Sequence, residues 1–411
     1  MVLRKEHRPR GRGQNVRRSA AVAKDGGVPY TPKSQMQLPV PRNASRVGTS
    51  NTGSNVPHQN SLVALLTLTT VSLAERLVAL GFLRPMQKCP RCGGALGPLK
   101  SLSNQRYPMY RCSSCRGNSA YVSCLHGSPL QAAKHLSLFQ LAALLICFSE
   151  SVAVIQAAAI CGISYVSTCK WYSMFRDILS GHMVKLQKRF GKQGDVGVIA
   201  EADEACVSKG PVVEWKSSKK RKLPKGATLR KDGKPKYMYV RIIALLVRGS
   251  RNLIIELLPI KYQNYRRSGR QKTMSGGTVY YKGNRWQPPA PPPLSEPEGS
   301  RFLKKYFRRG ILSTDSAKTY NLLVNKKKMF GALSKQIRVV HGKGEFTRLF
   351  PDKVWGGTQF MDGYFGNLKQ FLKPRHITVD NVMPYVREHQ YWFVTRKQDR
   401  LVAFGGAFRG F

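Results

Sequence analysis

Acidic residues are the scarce class in this sequence. Against 69 Lys and Arg stand only 21 Asp and Glu, which leaves a formal net charge of +48 over 411 residues. Such an imbalance excludes an ordinary enzyme of small neutral substrates and points to a polyanionic partner, with nucleic acid first. Long apolar runs are missing as well. The most apolar N-terminal stretch, Leu62 to Leu83, is interrupted by Thr67, Thr69, Thr70, Ser72, Glu75 and Arg76, so it reads as a helix lying on protein, with no membrane partner. The first 60 residues also lack the apolar core of a secretory signal. Of the nine cysteines, four stand in two pairs at metal-ligand spacing, which fits zinc in a reducing compartment better than a disulfide framework. An intracellular protein is expected, nuclear in a eukaryote and otherwise in the nucleoid or cytoplasm.

With 42% apolar residues the chain can bury real cores, and its length suggests two or three domains. Residues 1–60 hold eleven Lys or Arg and two acids among Gly, Pro, Ser, Asn and Gln. They are expected to form a disordered basic arm. A short helix around Leu73 to Leu80 then leads to Cys89-x2-Cys92 and Cys112-x2-Cys115. Four thiolates at this spacing close a tetrahedral, structural zinc site, with Gly93 relieving the turn after Cys92, so residues 61–128 are expected as a helix plus zinc ribbon. The remaining cysteines lack ligand spacing and are expected as small core residues. In 129–185, apolar spacing from Gln131 to Phe148 predicts a first helix. Ser151 is expected to cap a second through Ile160, and Ser164 a third from Tyr165 to about Ser180. Two helices across Cys-Gly-Ile-Ser make a helix-turn-helix pattern, with Ser167, Lys170 and Ser173 facing a DNA groove while Val166 and Phe175 pack inward.

The run Val198 to Val207 places Glu201, Asp203 and Glu204 in an otherwise apolar strand. Alternation puts Glu201 and Asp203 on one face, roughly 6–7 Å apart, and Glu204 on the other. A basic stretch at 209–235 follows, whose Lys219, Lys220, Arg221 and Lys222 suit phosphate contact or nuclear import. Tyr237 to Val247 and Asn252 to Leu258 read as a hairpin across Arg248-Gly-Ser-Arg251. Residues 260–300, with Gln287-Pro-Pro-Ala-Pro-Pro-Pro293, are expected as an irregular surface insertion. Gly310 to Ser316 reads as a strand ending at Asp315, with a helix following through Tyr320, and Gln336 to Val340 as another strand. Thr358 to Lys369 reads as a helix with Asp362, Phe365, Gly366 and Lys369 on one face. A helix around Pro384 to Thr395 closes the domain 195–395, leaving 396–411 as a tail.

Asp203, Asp315 and Asp362 thus come from distant sequence into one β,β,β,α,β,α framework. Acids so placed suit a pair of Mg²⁺ (or Mn²⁺) ions acting on a phosphodiester. The order of Cys89, Cys92, Cys112 and Cys115, the helix-turn-helix, Glu-Ala-Asp-Glu at 201–204, Thr-Asp at 314–315 with Tyr320, His-Gly-Lys-Gly-Glu-Phe at 341–346, and Thr358…Asp362…Lys369 resembles the DDE transposases of zinc-ribbon insertion sequences and their eukaryotic Merlin relatives. That resemblance covers about residues 70–395.

The resemblance implies an α/β, RNase H-like catalytic core, a mixed sheet flanked by helices, preceded by the zinc ribbon and helix-turn-helix. It implies a DNA transposase that binds terminal inverted repeats, cleaves element ends and joins 3′-hydroxyls to target DNA as a homo-oligomer. Asp203 and Asp315 match the first two metal-binding acids. Asp362 stands where a third acid, usually Glu, is expected, and Gln359 replaces a common Asn. His341 and Lys369 match positions that contact DNA or order the site. Asp falls short of Glu by about 1.5 Å of reach, and a 1 Å misplacement can cost on the order of 100-fold in rate. The alternative is therefore a catalytically inactive descendant that only binds DNA. Glu345 and Glu388 rank below Asp362 as third acids.

Overall fold

The computed structural model describes residues 62–133, 135–211, 236–264, 266–274, 277–287, 290–315, 333–339, 347–349, 355–375, 377 and 381–410, all within one compact unit. The expected basic arm, Lys219 to Lys222, Tyr320, His341 and Glu345 lie outside them.

The chain opens with helices α1 (Leu62–Leu66) and α2 (Thr70–Leu80), so the apolar run at 62–83 is two helices parted by Thr67 to Thr69. The Thr69 hydroxyl accepts from the Ser72 amide to start α2, and Gly81 ends it at φ 99°. The ribbon strands β1 (Met109–Arg111) and β2 (Tyr121–Ser123) pair antiparallel. Next come α3 (Leu138–Ser149), α4 (Val154–Cys161) and α5 (Tyr165–Phe190). Ser137 and Gln140 form a capping box on α3, and Ser164 caps α5 as its sequence predicts. Three expectations fail here. α3 starts only at Leu138, seven residues after Gln131. Ser151 takes φ 57° and leaves the cap of α4 to Ala153, and α5 runs ten residues past Ser180, carried by buried Met183 and Gln187.

The central sheet is mixed. Its first strand β3 (Ile199–Pro211) pairs antiparallel with β4 (Lys236–Val247), which pairs antiparallel with β5 (Ile254–Leu257) and then β6 (Lys261–Asn264). A separate antiparallel pair follows, β7 (Arg266–Met274) with β8 (Gly277–Gln287). Residues 260–300 are therefore ordered into strands for most of their length. The Pro-rich end itself, from Ala290 to Pro293, carries no strand, as proline breaks a ladder where it stands. Helix α6 (Glu296–Tyr306) leads into β9 (Gly310–Thr314), which lies parallel to β3, with β10 (Leu333–Arg338) parallel beyond it. The short strands β11 (Thr347–Leu349) and β12 (Trp355–Gly357) precede α7 (Gln359–Leu372), α8 (Val382–Val394) and α9 (Arg400–Arg409). Strand order across the sheet is β10-β9-β3-β4-β5.

Alternation along β3 gives the sheet two covered faces. Ala200 and Ala202 join Ile243, Leu245 and Leu312 under α6 through Phe302, Leu303 and Phe307. On the other face Ala205 joins Val240, Ile242, Ala244 and Ile255 beneath Met361, Phe365 and Leu368 of α7 and Val386 of α8. The ribbon shares a single core with the helices: Cys89, Cys112 and Val122 cluster with Leu73, Leu77, Leu141, Phe148 and Phe175. The segment expected as a tail forms α9 and completes that core. Phe404 meets Phe82, Phe148, Phe175 and Phe408 at centroid separations of 5.0–5.4 Å. No described helix is long and apolar enough to cross a membrane.

Candidate active site and metal centre

The four ribbon cysteines converge as their spacing predicts. Their Sγ atoms all lie within 4.8 Å of one another, with Cys92–Cys112 and Cys92–Cys115 at 3.4 Å and Cys89–Cys115 at 4.0 Å. Zn–S bonds of about 2.3 Å in a tetrahedron require S···S separations of about 3.8 Å, so the cage fits zinc. The knuckle at Cys89 is built by backbone: Gly93 N–H donates to Cys89 O at 2.9 Å, and Cys89 N–H to Gly94 O at 2.8 Å. Gly93 sits at φ 74°, where a side chain would strain the turn. Backbone N–H groups of Cys115 and Ser114 hold the Cys112 thiol down to about 6, which favours the thiolate a metal needs. Among the described residues this is the group of His, Cys, Asp and Glu side chains gathered closely enough to share one ion. Cys124, Cys147 and Cys161 are buried, as expected of core thiols, and Cys169 and Cys206 are partly so.

The three acids arrive from three elements. Register pairs Glu201 on β3 with Ser313 on β9, and continued two residues it sets Asp203 level with Asp315, just past the end of β9, on neighbouring parallel strands. Asp362 lies in the first turn of α7, which packs over that face of the sheet. Thr358 Oγ1 donates to Asp362 Oδ2 at 3.0 Å and fixes its rotamer. Burial, joined by the negative charges of Asp315, Asp362 and Glu204, pushes the Asp203 carboxyl up to about 8, against a single opposing bond from the Glu204 N–H. Asp315 and Asp362 are thus close enough to act on Asp203, although only the cysteines form a closed ligand cluster among the described residues.

What aligns these acids is a fourth one. Glu201, 0% exposed, accepts from the N–H groups of Phe360 and Met361 at 3.1 and 3.2 Å, the first amides of α7, whose positive end favours a carboxylate. Its other oxygen takes a 2.7 Å ion pair from Arg248, which also donates to the carbonyls of Trp355 and Gly357 on β12. Ser313 adds a 2.8 Å bond to Gly357 O. One acid–arginine pair therefore locks β3, β4, β12 and α7 together one residue pair below Asp203 and Asp315. Burial raises the Glu201 carboxyl, and Arg248 with the two amides opposes that rise. Sequence reading placed Glu201 correctly on the face of Asp203 and Arg248 correctly in the turn after β4, but did not foresee their ion pair. An arginine closing an apolar strand immediately before a Gly-Ser turn was the available signal.

Glu204 points to the opposite face, as alternation requires, where it meets Arg241 at 3.3 Å and accepts from the Leu294 N–H at 2.9 Å. Glu388 is committed elsewhere: it is buried against Arg176 at 2.9 Å, tying α8 to α5, so it is no substitute third acid. Lys369 is exposed on α7; burial raises the Cys206 thiol on β3, and the charges of Lys209 and Lys369 oppose that rise. Phe365 does not share the outer face of Asp362, Gly366 and Lys369. It is buried against the sheet with Tyr364, because the apolar stripe of α7 runs through 361, 364, 365 and 368. On α5, Lys170 and Ser173 are exposed and Phe175 is buried, as expected, but Val166 is 63% exposed and not an inward residue. Its place in the core is taken by Thr168 and Trp171. Comparison with protein-family profiles, with curated proteins and with solved structures gave no match to this chain.

Proposed function

We propose that this chain is a DNA transposase of the DDE type, built on an RNase H-like core, whose zinc ribbon and helix-turn-helix hold double-stranded DNA while Asp203, Asp315 and Asp362 serve the chemistry. The observation that carries this reading is the mutual placement of the three acids, level on β3 and β9 and at the head of α7, with Asp203 driven to about 8 by burial and by its acidic neighbours. Carboxylates crowded in a chain so poor in acid suit a cation that neutralises them. The donor set is all oxygen, which fits Mg²⁺ or Mn²⁺. Bound there, divalent ions supply Lewis acidity to a phosphodiester and stabilise its leaving oxygen. The protein's own part is alignment. Glu201 and Arg248 fix the head of α7 against β3, Thr358 sets the Asp362 rotamer, and exposed Lys369, on the outer face of the same helix, can neutralise a nearby phosphate. The strand order and the parallel pair β3–β9 support the RNase H-like assignment, and the +48 charge supports a nucleic-acid partner.

The test is cleavage of duplexes carrying the sequence that flanks the coding region, with Mg²⁺ or Mn²⁺. Wild type is expected to nick near one strand end and then join that end to a second duplex, and Asp203→Ala to do neither. Wild-type protein that binds the duplex and leaves it intact supports the alternative, an inactive DNA-binding descendant, which the short Asp at position 362 favours.

A further inference from the structure

The pair β7–β8 has no part in the site described above, yet its composition is the most one-sided of any ordered element. From Arg266 to Gln287 the chain carries Arg266, Arg267, Arg270, Lys272, Lys282 and Arg285 and no acid. A register shift between Arg267 and Gly269 leaves Gly283, Asn284 and Arg285 as a bulge, which sharpens the twist of the ribbon.

Its origin in the fold is as informative. β6 continues the edge strand β5 along β4 and ends at Asn264 opposite Lys236, whereas Asp203 pairs with Ala244. Eight residues of β4 at about 3.3 Å each put the foot of the ribbon about 26 Å along the strands from Asp203. β6 runs in the direction of β3, so this foot lies toward the end of the sheet at which Asp315 follows β9.

The foot is also socketed. Arg241, 1% exposed, reaches Glu204 at 3.3 Å, Glu298 at 2.9 Å and Pro292 O on the returning stem at 3.3 Å. Lys261 at the start of β6 reaches Glu298 at 3.0 Å and Pro293 O at 3.4 Å. The returning stem is thus tied to Glu204, next to Asp203, directly through the Leu294 N–H and by way of Arg241, and the outgoing stem is tied to the Glu298 that Arg241 also holds.

We infer that β7–β8 is a DNA-binding arm that lies in the major groove of the duplex held at the acids. A B-form major groove admits a two-stranded antiparallel ribbon, and six cations without an acid suit the phosphates on either side. The deep, narrow groove of A-form RNA does not admit one. The inference deepens the transposase reading and rests on it only for the identity of the duplex.

The test uses the full chain bearing Asp203→Asn, without Mg²⁺, and a duplex of about 30 base pairs, so that binding is read apart from cleavage. Each phosphate contact contributes about 0.9 to the slope of log K against log salt. Replacing the six basic residues by Gln is expected to flatten that slope by at least about 2 and to weaken binding at least tenfold at about 0.1 M salt. An unchanged slope overturns the assignment. In the chain with the ribbon intact, the duplex is expected to protect Lys272 and Lys282 from a lysine-acylating reagent, with double-stranded RNA of equal length protecting much less. Equal reactivity with and without DNA, or equal protection by RNA, also overturns it. A chain that binds through the ribbon and never cleaves sinks the transposase reading alone. One that cleaves with the ribbon unprotected sinks the arm alone.

Discussion

At the scale of single residues, the two acids of β3 that share a face do opposite work. Asp203 is held near 8 while an unfolded Asp titrates near 3.8, so between those values the folded chain carries a proton that the unfolded one does not. Stability therefore falls as pH rises from about 4 to 8, and Asn at 203 removes that slope. Thermal unfolding at pH 8 in zinc-loaded protein without other divalent ions is expected to show Asp203→Asn melting higher than wild type by on the order of 5 °C. Added Mg²⁺ should close the gap by stabilising wild type alone. Glu201 is a positioning residue: Glu201→Gln keeps the acids but removes the charge that Arg248 and the α7 amides grip. Its expected signature is a fall in cleavage rate of about 10–100-fold with DNA affinity unchanged. Equal rates for Glu201→Gln and wild type would refute the role. Asp203 was legible in the sequence because acids in a basic, apolar context stand out. Arg248 and Arg241 were not, because in a chain with 69 Lys and Arg a buried, structural arginine looks like every other.

Among elements, those with local signals were read correctly and those set by tertiary contact were not. The four-cysteine cluster follows from cysteine spacing, α3 from its apolar spacing, α5 from its serine cap, and β3 to β5 from apolar, β-rich runs. The length of α5 was missed because its last ten residues mix Met183, Val184 and Leu186 with basic and polar side chains and are held by partners far away. Gln187 accepts from the Ile255 N–H on β5 at 3.0 Å and from Gln390 on α8 at 3.0 Å. Helix α9 was missed for the same reason. It is packed by a backbone approach that no pattern announces, with Gly405 facing the Leu80 carbonyl so closely that a Cβ would collide with it. Gly405→Ala is expected to destabilise by about 2 kcal/mol or more, read as a lowered urea midpoint. For the ribbon, Cys112→Ser should cut zinc from one per chain to substoichiometric levels and loosen the core that Cys112 shares with Leu73 and Phe148, measured by metal analysis and calorimetry.

For the molecule as a whole, charge governs behaviour. On the proposed reading, a net +48 is expected to make association with duplex DNA fast and salt-sensitive, with the affinity dropping about 10³-fold or more between roughly 0.05 and 0.2 M salt. Anisotropy titrations check this, and a flat salt response would argue against a phosphate-led interface. The fold offers that interface a rigid base. Gln187, Arg387 and Gln390 join α5, α8 and the β5 edge in one buried network, so the ribbon-bearing helical layer is bonded directly to the sheet that carries the acids.

The docking of α9 has a consequence for how the protein is made. Phe82, beside the zinc ribbon, finds its partners Phe404 and Phe408 more than three hundred residues later. At synthesis rates of about 5–20 residues per second the ribosome spends tens of seconds between them, and during that interval the aromatic pocket is open to solvent and to chaperones. A translation product that stops before Arg400 lacks the wall that closes this pocket. Such a fragment is expected to be a target for proteolysis, so only chains that have also acquired their acids carry a finished helical layer.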